Sequence, residues 1–288
     1  MLEEFKNYLK SKNYSVATIY EYELNIMQFF KFIETFKNIK ISPILIYNIE
    51  KNDIIEYLNY LNYYNKNTGV TRKRKFYAIK SFYKWLKVSK NINIDLDNVL
   101  LVSTYRKLPH VLNLEQCKKL LSYYKDDRNK LIIYIFLTTG IRISELQNIY
   151  IENIKDNKIL LKVKGGKNRF ITLNKQCKDM IQKYIKNNLN NISTGPLFNI
   201  KGKKLSVGGI RYIIYKAYKD LGYEGYTVHS LRHSSATLIY KATNDILVVK
   251  EYLGHSSIES TQIYTHIAND EIKKAIESNP LANFQTQK

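Results

Sequence analysis

The spacing of apolar residues changes abruptly at one place in this chain, and that change constrains the fold more than any other feature. Over most of the sequence apolar residues recur every three or four positions, as on one face of a helix. Between residues 149 and 173 they follow the pattern of three short strands, at 149–151, 158–163 and 169–173. Gly165 and Gly166 are expected to form the turn between the last two strands. The sequence therefore predicts a mainly α-helical fold with a small antiparallel β-sheet.

Helical spacing runs through most of residues 1–100, and little of it is found at residues 91–108. Ser15 is a predicted N-cap for a long helix that ends near Phe36, and Thr68 is expected to begin another. A shorter helix is predicted between them, near residues 53–64. The first hundred residues are therefore expected to form an all-helical domain of four or five helices.

Residues 101–110 show little helical periodicity and contain Arg106 and Lys107. They predict a linker that is basic enough to lie along a DNA duplex. Asn113 is the expected N-cap of the helix that opens a second domain, residues 111–288. A chain of 288 residues is long enough for two domains, each with its own core.

The net charge of +21 indicates a polyanionic partner. Nucleic acid is favoured over a membrane surface, because no apolar run approaches the length of a membrane span and no amphipathic anchor is evident. The alternative is an AT-rich genome, which raises the lysine content without any function. The start of the chain does not resemble a signal peptide, and only two cysteines are present, so a reducing, cytoplasmic location is expected.

One basic run within the amino-terminal domain could grip the DNA backbone. It consists of Arg72, Lys73, Arg74 and Lys75. The same run could equally be a solvated helix face, and the sequence does not decide between the two.

Arginine is scarce in this chain, with eight arginines against 38 lysines. An arginine kept under that bias is expected where a planar group must donate two hydrogen bonds, as to a phosphate. Arg142 and Arg232 are two isolated arginines of this kind, and Arg232 lies in a segment rich in histidine. Arg142 could also simply bridge to Glu145 one helical turn later.

Transfer of a phosphodiester needs a nucleophile, donors for the non-bridging oxygens and a proton for the leaving oxygen. Arg142 and Arg232 suit the oxygens. Further candidates for the chemistry are His229, His255, Lys164 and, as nucleophile, Tyr264. Tyr264 is one of 25 tyrosines, and Lys167 rivals Lys164, so the set is informative only jointly.

No metal site and no cofactor are expected. His229 and His233 are four residues apart, which suits a pair of ligands on one helix face. No acidic or cysteine ligand is placed nearby to complete the site, and Arg232 between them would repel a cation.

Three motifs of this sequence together resemble those of the tyrosine recombinase, or phage integrase, family. Thr139–Leu146 (TGIRISEL) is similar to its first arginine box and His229–Thr237 (HSLRHSSAT) to its second. Leu253–His255 with Tyr264–His266 resembles its histidine and nucleophile region. The resemblance implies a helical, SAM-like core-binding domain followed by a mixed α/β catalytic domain. Because helices begin at the amino terminus, the chain looks most like the compact Xer type.

The resemblance implies a role for each matching residue. Arg142 and Arg232 would clamp the scissile phosphate, Lys164 would be the general acid, and His229 and His255 would support them. Tyr264 would form a 3′-phosphotyrosine, and strands would be exchanged through a Holliday junction without ATP or metal. The hairpin departs from the usual Xer pattern, since Lys164 is followed directly by two glycines. Further contacts to DNA are expected from Lys167 and Arg169.

The implied partners are double-stranded DNA with a specific recombination site and further copies of the chain. A helix within residues 269–277 is expected to dock on a neighbouring protomer in a tetramer on DNA, and a second recombinase or an accessory protein could take part. The sequence does not distinguish chromosome or plasmid dimer resolution from integration or excision of a mobile element. Two alternatives stay open, a type IB topoisomerase-like enzyme and a catalytically inactive DNA-binding relative.

Overall fold

The computed structural model describes residues 1–38, 40, 42, 46–99, 101, 108–162, 168–254, 261, 263 and 264, and only the backbone of Lys162. The chain divides into two units, Met1–Arg106 and Lys107–Lys288. None of the helices within the described residues is both long and apolar enough to span a lipid bilayer.

The described part of the first unit is helical, as its apolar spacing predicts. Its helices are α1 (Leu2–Ser11), α2 (Val16–Lys37), α3 (Lys51–Tyr63) and α4 (Gly69–Lys90). Ser15 Oγ accepts a hydrogen bond from the backbone N–H of Thr18 at 3.2 Å, and Thr68 Oγ1 accepts one from Thr71 at 3.3 Å. Each hydroxyl satisfies one of the amide groups that a helix leaves free at its start, so the two predicted N-caps are confirmed.

The core of the first unit is rich in aromatic rings. Phe5 of α1 packs edge-on against Phe82 of α4, with ring centroids 5.2 Å apart, and Trp85 lies 5.5 Å from Phe5. The chain stays with this core after α4 ends, because Ile92 and Leu96 are both buried in it. The absence of helical spacing after residue 90 therefore marks a non-helical segment that still belongs to the first unit.

The second unit surrounds one strongly apolar helix. Its helices and strands are α5 (Leu114–Tyr123), α6 (Asp127–Thr139), α7 (Ile143–Gln147), β1 (Ile154–Lys155), β2 (Lys158–Lys162), β3 (Asn168–Thr172), α8 (Lys175–Asn188), β4 (Asn199–Ile200), β5 (Lys203–Lys204), α9 (Val207–Asp220), α10 (Val228–Thr243) and α11 (Ile246–Leu253). All residues from Leu131 to Leu137 of α6 are buried, as expected for a helix that is apolar on every side. Asn113 Oδ1 accepts from the backbone N–H of Gln116 at 2.8 Å, which confirms the predicted cap of α5.

The small sheet is antiparallel, with strand order β1-β2-β3 and Ile159 opposite Ile171. The expected turn at Gly165 and Gly166 lies outside the described residues. The strand predicted at residues 149–151 is reduced to one antiparallel bridge between Tyr150 and Pro196, because Ile151–Asn153 is a 3-10 helix and β1 begins at Ile154. Ile149 and Ile151 are buried, and their backbones bond to Leu197 and Gly195, both at 2.9 Å. Burial against that loop accounts for their alternating apolar pattern.

Candidate active site

Three segments of the second unit meet where helix α6 ends. They are the turn at Gly140, helix α10 and the carboxyl end of α11. Gly140 has a φ of +59°, and a Cβ there would lie 2.8 Å from Leu253 Cδ2. Only glycine combines this left-handed conformation with so close an approach of α11. The turn thereby holds the chain just before Arg142 against the end of α11.

Arg232 of α10 holds these segments together from the interior, where it is 5% exposed. Its Nη1 donates to the carbonyl oxygen of Gly140, and its Nη2 donates to that of Leu253 at 2.8 Å. The last carbonyls of a helix lack partners and carry the negative end of the helix dipole, so they attract a cation. Burial lowers the pKa of Arg232 to about 10, which leaves it charged at neutral pH. A guanidinium has five N–H groups, so donors remain for a phosphate.

Arg142 is the N-cap of helix α7, and both its backbone and its side chain bind Glu145. Its backbone N–H donates to Glu145 Oε2 and its Nη1 donates to Glu145 Oε1, each at 2.9 Å. The bridge that the sequence offered as an alternative for Arg142 is therefore present. The Arg142 side chain is nevertheless 40% exposed, so the same guanidinium can also reach a phosphate from solvent.

Glu145 and Arg169 form an ion pair beneath Arg142. Arg169 Nη1 donates to both carboxylate oxygens of Glu145, at 2.9 and 3.0 Å, and Nη2 donates to the carbonyl of Tyr252 at 3.1 Å. Burial alone would raise the pKa of Glu145, but the Arg142 backbone N–H and the charge of Arg169 outweigh it and lower the pKa.

The side chain of Arg169 is 12% exposed, and its Nη1 and Nη2 donate to groups within the protein. Its role as a DNA contact stays a prediction. Glu145 was missed as a site residue, although its spacing of three from Arg142 was the available signal.

Two histidines of α10 lie one turn apart and differ in their surroundings. The side chain of His229 is exposed, so it could donate a hydrogen bond to a phosphate. Desolvation by the surrounding protein, followed by the charges of Arg232 and Arg142, lowers the pKa of His229. His233 is partly buried, and its Nδ1 lies 3.0 Å from the hydroxyl of Tyr264. Burial, with the charges of His229 and Arg232, lowers the pKa of His233 to about 4, so its ring is neutral.

Tyr264 is 1% exposed and packs with Ala236, Val249 and Leu253. Its backbone N–H donates to the carbonyl of Thr261 at 3.0 Å. Burial raises the pKa of the Tyr264 phenol to about 12, against the opposing charges of Arg232 and Arg142. The resting side chain is therefore a neutral phenol. The sequence suggests His233 only as a metal ligand, and its contact with Tyr264 was not predicted, because no spacing rule links residues 31 positions apart.

Some of the predicted site residues lie outside the described residues. They are Lys164, Lys167, His255, Arg106, Lys107 and the helix expected within 269–277. Among the residues that are described, no group of three or more His, Cys, Asp or Glu side chains is arranged to hold a metal ion.

The basic run of α4 is only partly at the surface. Arg74 is exposed and lies 3.4 Å from the carboxylate of Glu21, and Lys73 is partly exposed. Lys75 is 9% exposed, and its ammonium donates to Gln28 Oε1. Burial lowers the pKa of Lys75. The expected DNA contact of Lys75 is therefore corrected to an interior hydrogen bond, and contacts by Arg72, Lys73 and Arg74 stay predictions.

Known protein families account for nearly the whole chain. Residues 110–271 match the phage integrase family, and residues 1–91 match the phage integrase N-terminal SAM-like domain. Tyrosine recombinase XerC of Caldanaerobacter subterraneus is 34% identical, over 98% of this chain and 87% of that protein. Tyrosine recombinase XerC of Leptospira interrogans is 31% identical, over 94% of this chain and 90% of that protein.

Solved structures agree with these relatives. The XerH site-specific recombinase, in a post-cleavage complex with its palindromic difH substrate, superposes with a TM-score of 0.74. The two sequences are 25% identical, and the alignment covers 96% of this chain and 84% of XerH. Family, relatives and fold agree with the motifs at Arg142, Arg232 and Tyr264. The chain therefore belongs to the phage integrase family and is a tyrosine recombinase of the Xer type.

Proposed function

We propose that this recombinase cleaves and rejoins double-stranded DNA at a specific site, with Tyr264 as the nucleophile. The observation that carries the proposal is the electrostatic surroundings of the Tyr264 phenol. The charges of Arg232 and Arg142 both act on it and oppose the effect of burial on its pKa. Tyr264 Oη also lies 3.0 Å from His233, the residue that follows Arg232 on α10, so the phenol and a phosphate bound by Arg232 would share one site, as in-line attack requires.

In the proposed cleavage step, Tyr264 Oη forms a bond to phosphorus while the bond from phosphorus to the 5′ oxygen breaks. Arg142 and Arg232 would stabilise the charge on the non-bridging oxygens, with a further hydrogen bond from His229. Lys164, as the acid for the 5′ oxygen, and His255, as a second supporting histidine, are proposed from the family resemblance alone. The products are a 3′-phosphotyrosine and a free 5′ hydroxyl.

Rejoining reverses these steps with a 5′ hydroxyl from another strand, which gives a Holliday junction. Since the covalent link conserves the phosphodiester bond energy, no external energy source is needed. We propose four copies on two DNA sites, joined through residues 269–277, with a second recombinase or accessory protein as a further component. The DNA-bound state of XerH and the net charge of +21 support a DNA partner, and the cytoplasm is the proposed location.

Covalent trapping tests this proposal. The protein would be incubated with nicked duplexes carrying sites selected by binding from the source genome, and a protein–DNA band that survives detergent would be sought. We expect such a band for the natural chain and none for Tyr264→Phe, which keeps the packed ring but lacks the nucleophile. Tyr240→Phe is the matched control, since that tyrosine lies on α10 in the same cluster.

The same samples separate the alternatives. Relaxation of any supercoiled plasmid, without a specific site, would identify a topoisomerase-like enzyme instead. DNA binding without a covalent band, on every bound site and with cell extract added, would identify a catalytically inactive relative.

A further inference from the structure

We propose that His233 accepts the proton of Tyr264 during strand cleavage and returns it during rejoining. The inference rests on the proposed role of Tyr264 as nucleophile. It adds a residue to the chemistry, because the phosphate-binding groups account for the charge of the transition state but leave the phenol proton without a destination.

The geometry places an acceptor on the reacting atom. His233 Nδ1 lies 3.0 Å from Tyr264 Oη, within ordinary hydrogen-bond distance. Within the part of the chain that the structure describes, His233 is the side chain that hydrogen-bonds this hydroxyl. For Nδ1 to accept, the ring must carry its proton on Nε2, which is the tautomer we assign.

The placement of His233 on α10 ties the acceptor to the phosphate site. Arg232 precedes it directly, and that guanidinium is fixed by the carbonyls of Gly140 and Leu253. One rigid helix therefore supplies both a donor for the phosphate and an acceptor for the nucleophile. A base must be held within hydrogen-bond reach of the proton it removes, and this helix does so.

The charged neighbours explain why the transfer waits for DNA. Burial, with the charges of His229 and Arg232, lowers the pKa of His233 and so disfavours its cationic form. Burial raises the pKa of Tyr264 and so keeps the proton on the phenol. A bound phosphodiester would bring negative charge next to Arg232 and Arg142, which stabilises an imidazolium nearby. Bond formation to phosphorus would at the same time remove the charge that a free phenolate would carry. Transfer of the proton to His233 is therefore favourable only when the Tyr264 oxygen attacks phosphorus at the same time.

The step balances. In cleavage the Oη–H bond breaks, the proton moves to His233 Nδ1, the Oη–phosphorus bond forms, and the departing 5′ oxygen takes a proton from Lys164. In rejoining the incoming 5′ hydroxyl gives its proton back to Lys164, and the departing Tyr264 oxygen recovers its proton from His233. No other reactant is required.

A substrate whose leaving group needs no proton separates the two proton transfers. In a nicked duplex with a 5′-bridging phosphorothioate, a thiolate leaves instead of an alkoxide. The variants compared are His233→Ala, His233→Asn and Lys164→Ala. On ordinary DNA we expect His233→Ala and Lys164→Ala each to slow covalent attachment by about 100-fold or more. On the phosphorothioate Lys164→Ala should regain its rate, and His233→Ala should stay slow.

His233→Asn tests whether the ring only positions the phenol. Its amide can still hydrogen-bond Tyr264 but cannot take up a proton, so we expect it to remain slow on both substrates. Equal DNA binding by all variants would show that they fold.

Two results would overturn the proposal alone, provided that the natural chain attaches to DNA through Tyr264. One is an unimpaired rate for His233→Ala or His233→Asn, and the other is recovery of His233→Ala on the phosphorothioate. Absence of attachment by the natural chain would instead refute the proposed function itself, and this inference with it.

Discussion

Arg169 donates through a single nitrogen to both carboxylate oxygens of Glu145, and that carboxylate also binds Arg142. One buried anion thus separates two guanidinium groups and fixes the direction of the more exposed one. The proposed phosphate site therefore depends on a residue whose own oxygens are shared between two arginines.

Neutralising Glu145 is expected to harm both stability and cleavage. In Glu145→Gln two arginines would face each other without an anion, and breaking a buried pair costs about 3 kcal/mol of unfolding free energy. We also expect cleavage to slow more than tenfold, because Arg142 loses its orientation. Urea unfolding and single-turnover attachment measure the two effects. Glu115→Gln is the control, since its bond to Lys118 is exposed and should contribute little to stability.

Alanine at Gly140 should lower the free energy of unfolding more than alanine at a glycine that has a similar backbone conformation but open space around it. Gly222 has a φ of +69° and no atom within 4 Å of a built Cβ, so Gly222→Ala should cost only about 1 kcal/mol for the left-handed conformation. Gly140→Ala adds the overlap with Leu253, for a total of about 3 kcal/mol. Denaturant midpoints would measure both values. Equal losses would show that α11 can move away freely.

Replacing Arg232 by lysine should keep the charge and lose the function. A lysine ammonium cannot reproduce the planar fork that binds Gly140 and Leu253 while donors remain for a phosphate. We expect attachment to fall by about 100-fold or more, with little change in DNA affinity, because many lysines supply that affinity. Arg211→Lys, at an exposed position of α9, is the control. Attachment at the natural rate in Arg232→Lys would show that charge alone suffices.

Acidification should destabilise the fold through His233. Above pH 6.5, the ordinary pKa of histidine, the ring is neutral in both the folded and the unfolded chain. As pH falls further, the unfolded chain takes up a proton that the folded chain refuses until about pH 4, so unfolding becomes easier across that window. The slope attributable to His233 is at most about 1.4 kcal/mol per pH unit.

The comparison that isolates this effect is His233→Asn, which has no titratable group at that position. Urea unfolding at several pH values between 7.5 and 4.5 should show a shallower loss for the variant than for the natural chain. Parallel curves would mean that His233 is protonated equally easily in the folded state.

Local signals in the sequence predicted much of the fold. Ser15, Thr68 and Asn113 cap helices because a side-chain oxygen can bind an amide only a few residues away, and such spacing is visible in a sequence. The strand predicted at 149–151 is only a single β-bridge in the structure, for the opposite reason. Its apolar alternation reflects burial against the loop at residues 195–197, a contact that periodicity does not reveal.

The residues of the candidate site also fall into those that local spacing predicts and those that only the fold brings together. Arg142, Arg232 and Tyr264 belong to motifs with fixed local spacing, so they could be named in advance. The bonds of Arg169 to Tyr252 and of His233 to Tyr264 join residues far apart in the chain, and only the fold brings them together. Arg169 and Lys75 were expected to contact DNA, whereas in the structure their donors bind groups within the protein.

The carbonyls of Tyr252 and Leu253, held by Arg169 and Arg232, make the end of α11 a point of thermodynamic linkage. An event that shifts those carbonyls changes which donors Arg232 can offer to a phosphate, and a phosphate bound to Arg232 would bias the same carbonyls in return. Linkage of this kind is reciprocal by necessity. Occupancy of the proposed phosphate site and the position of the end of α11 are therefore not independent variables in this protein.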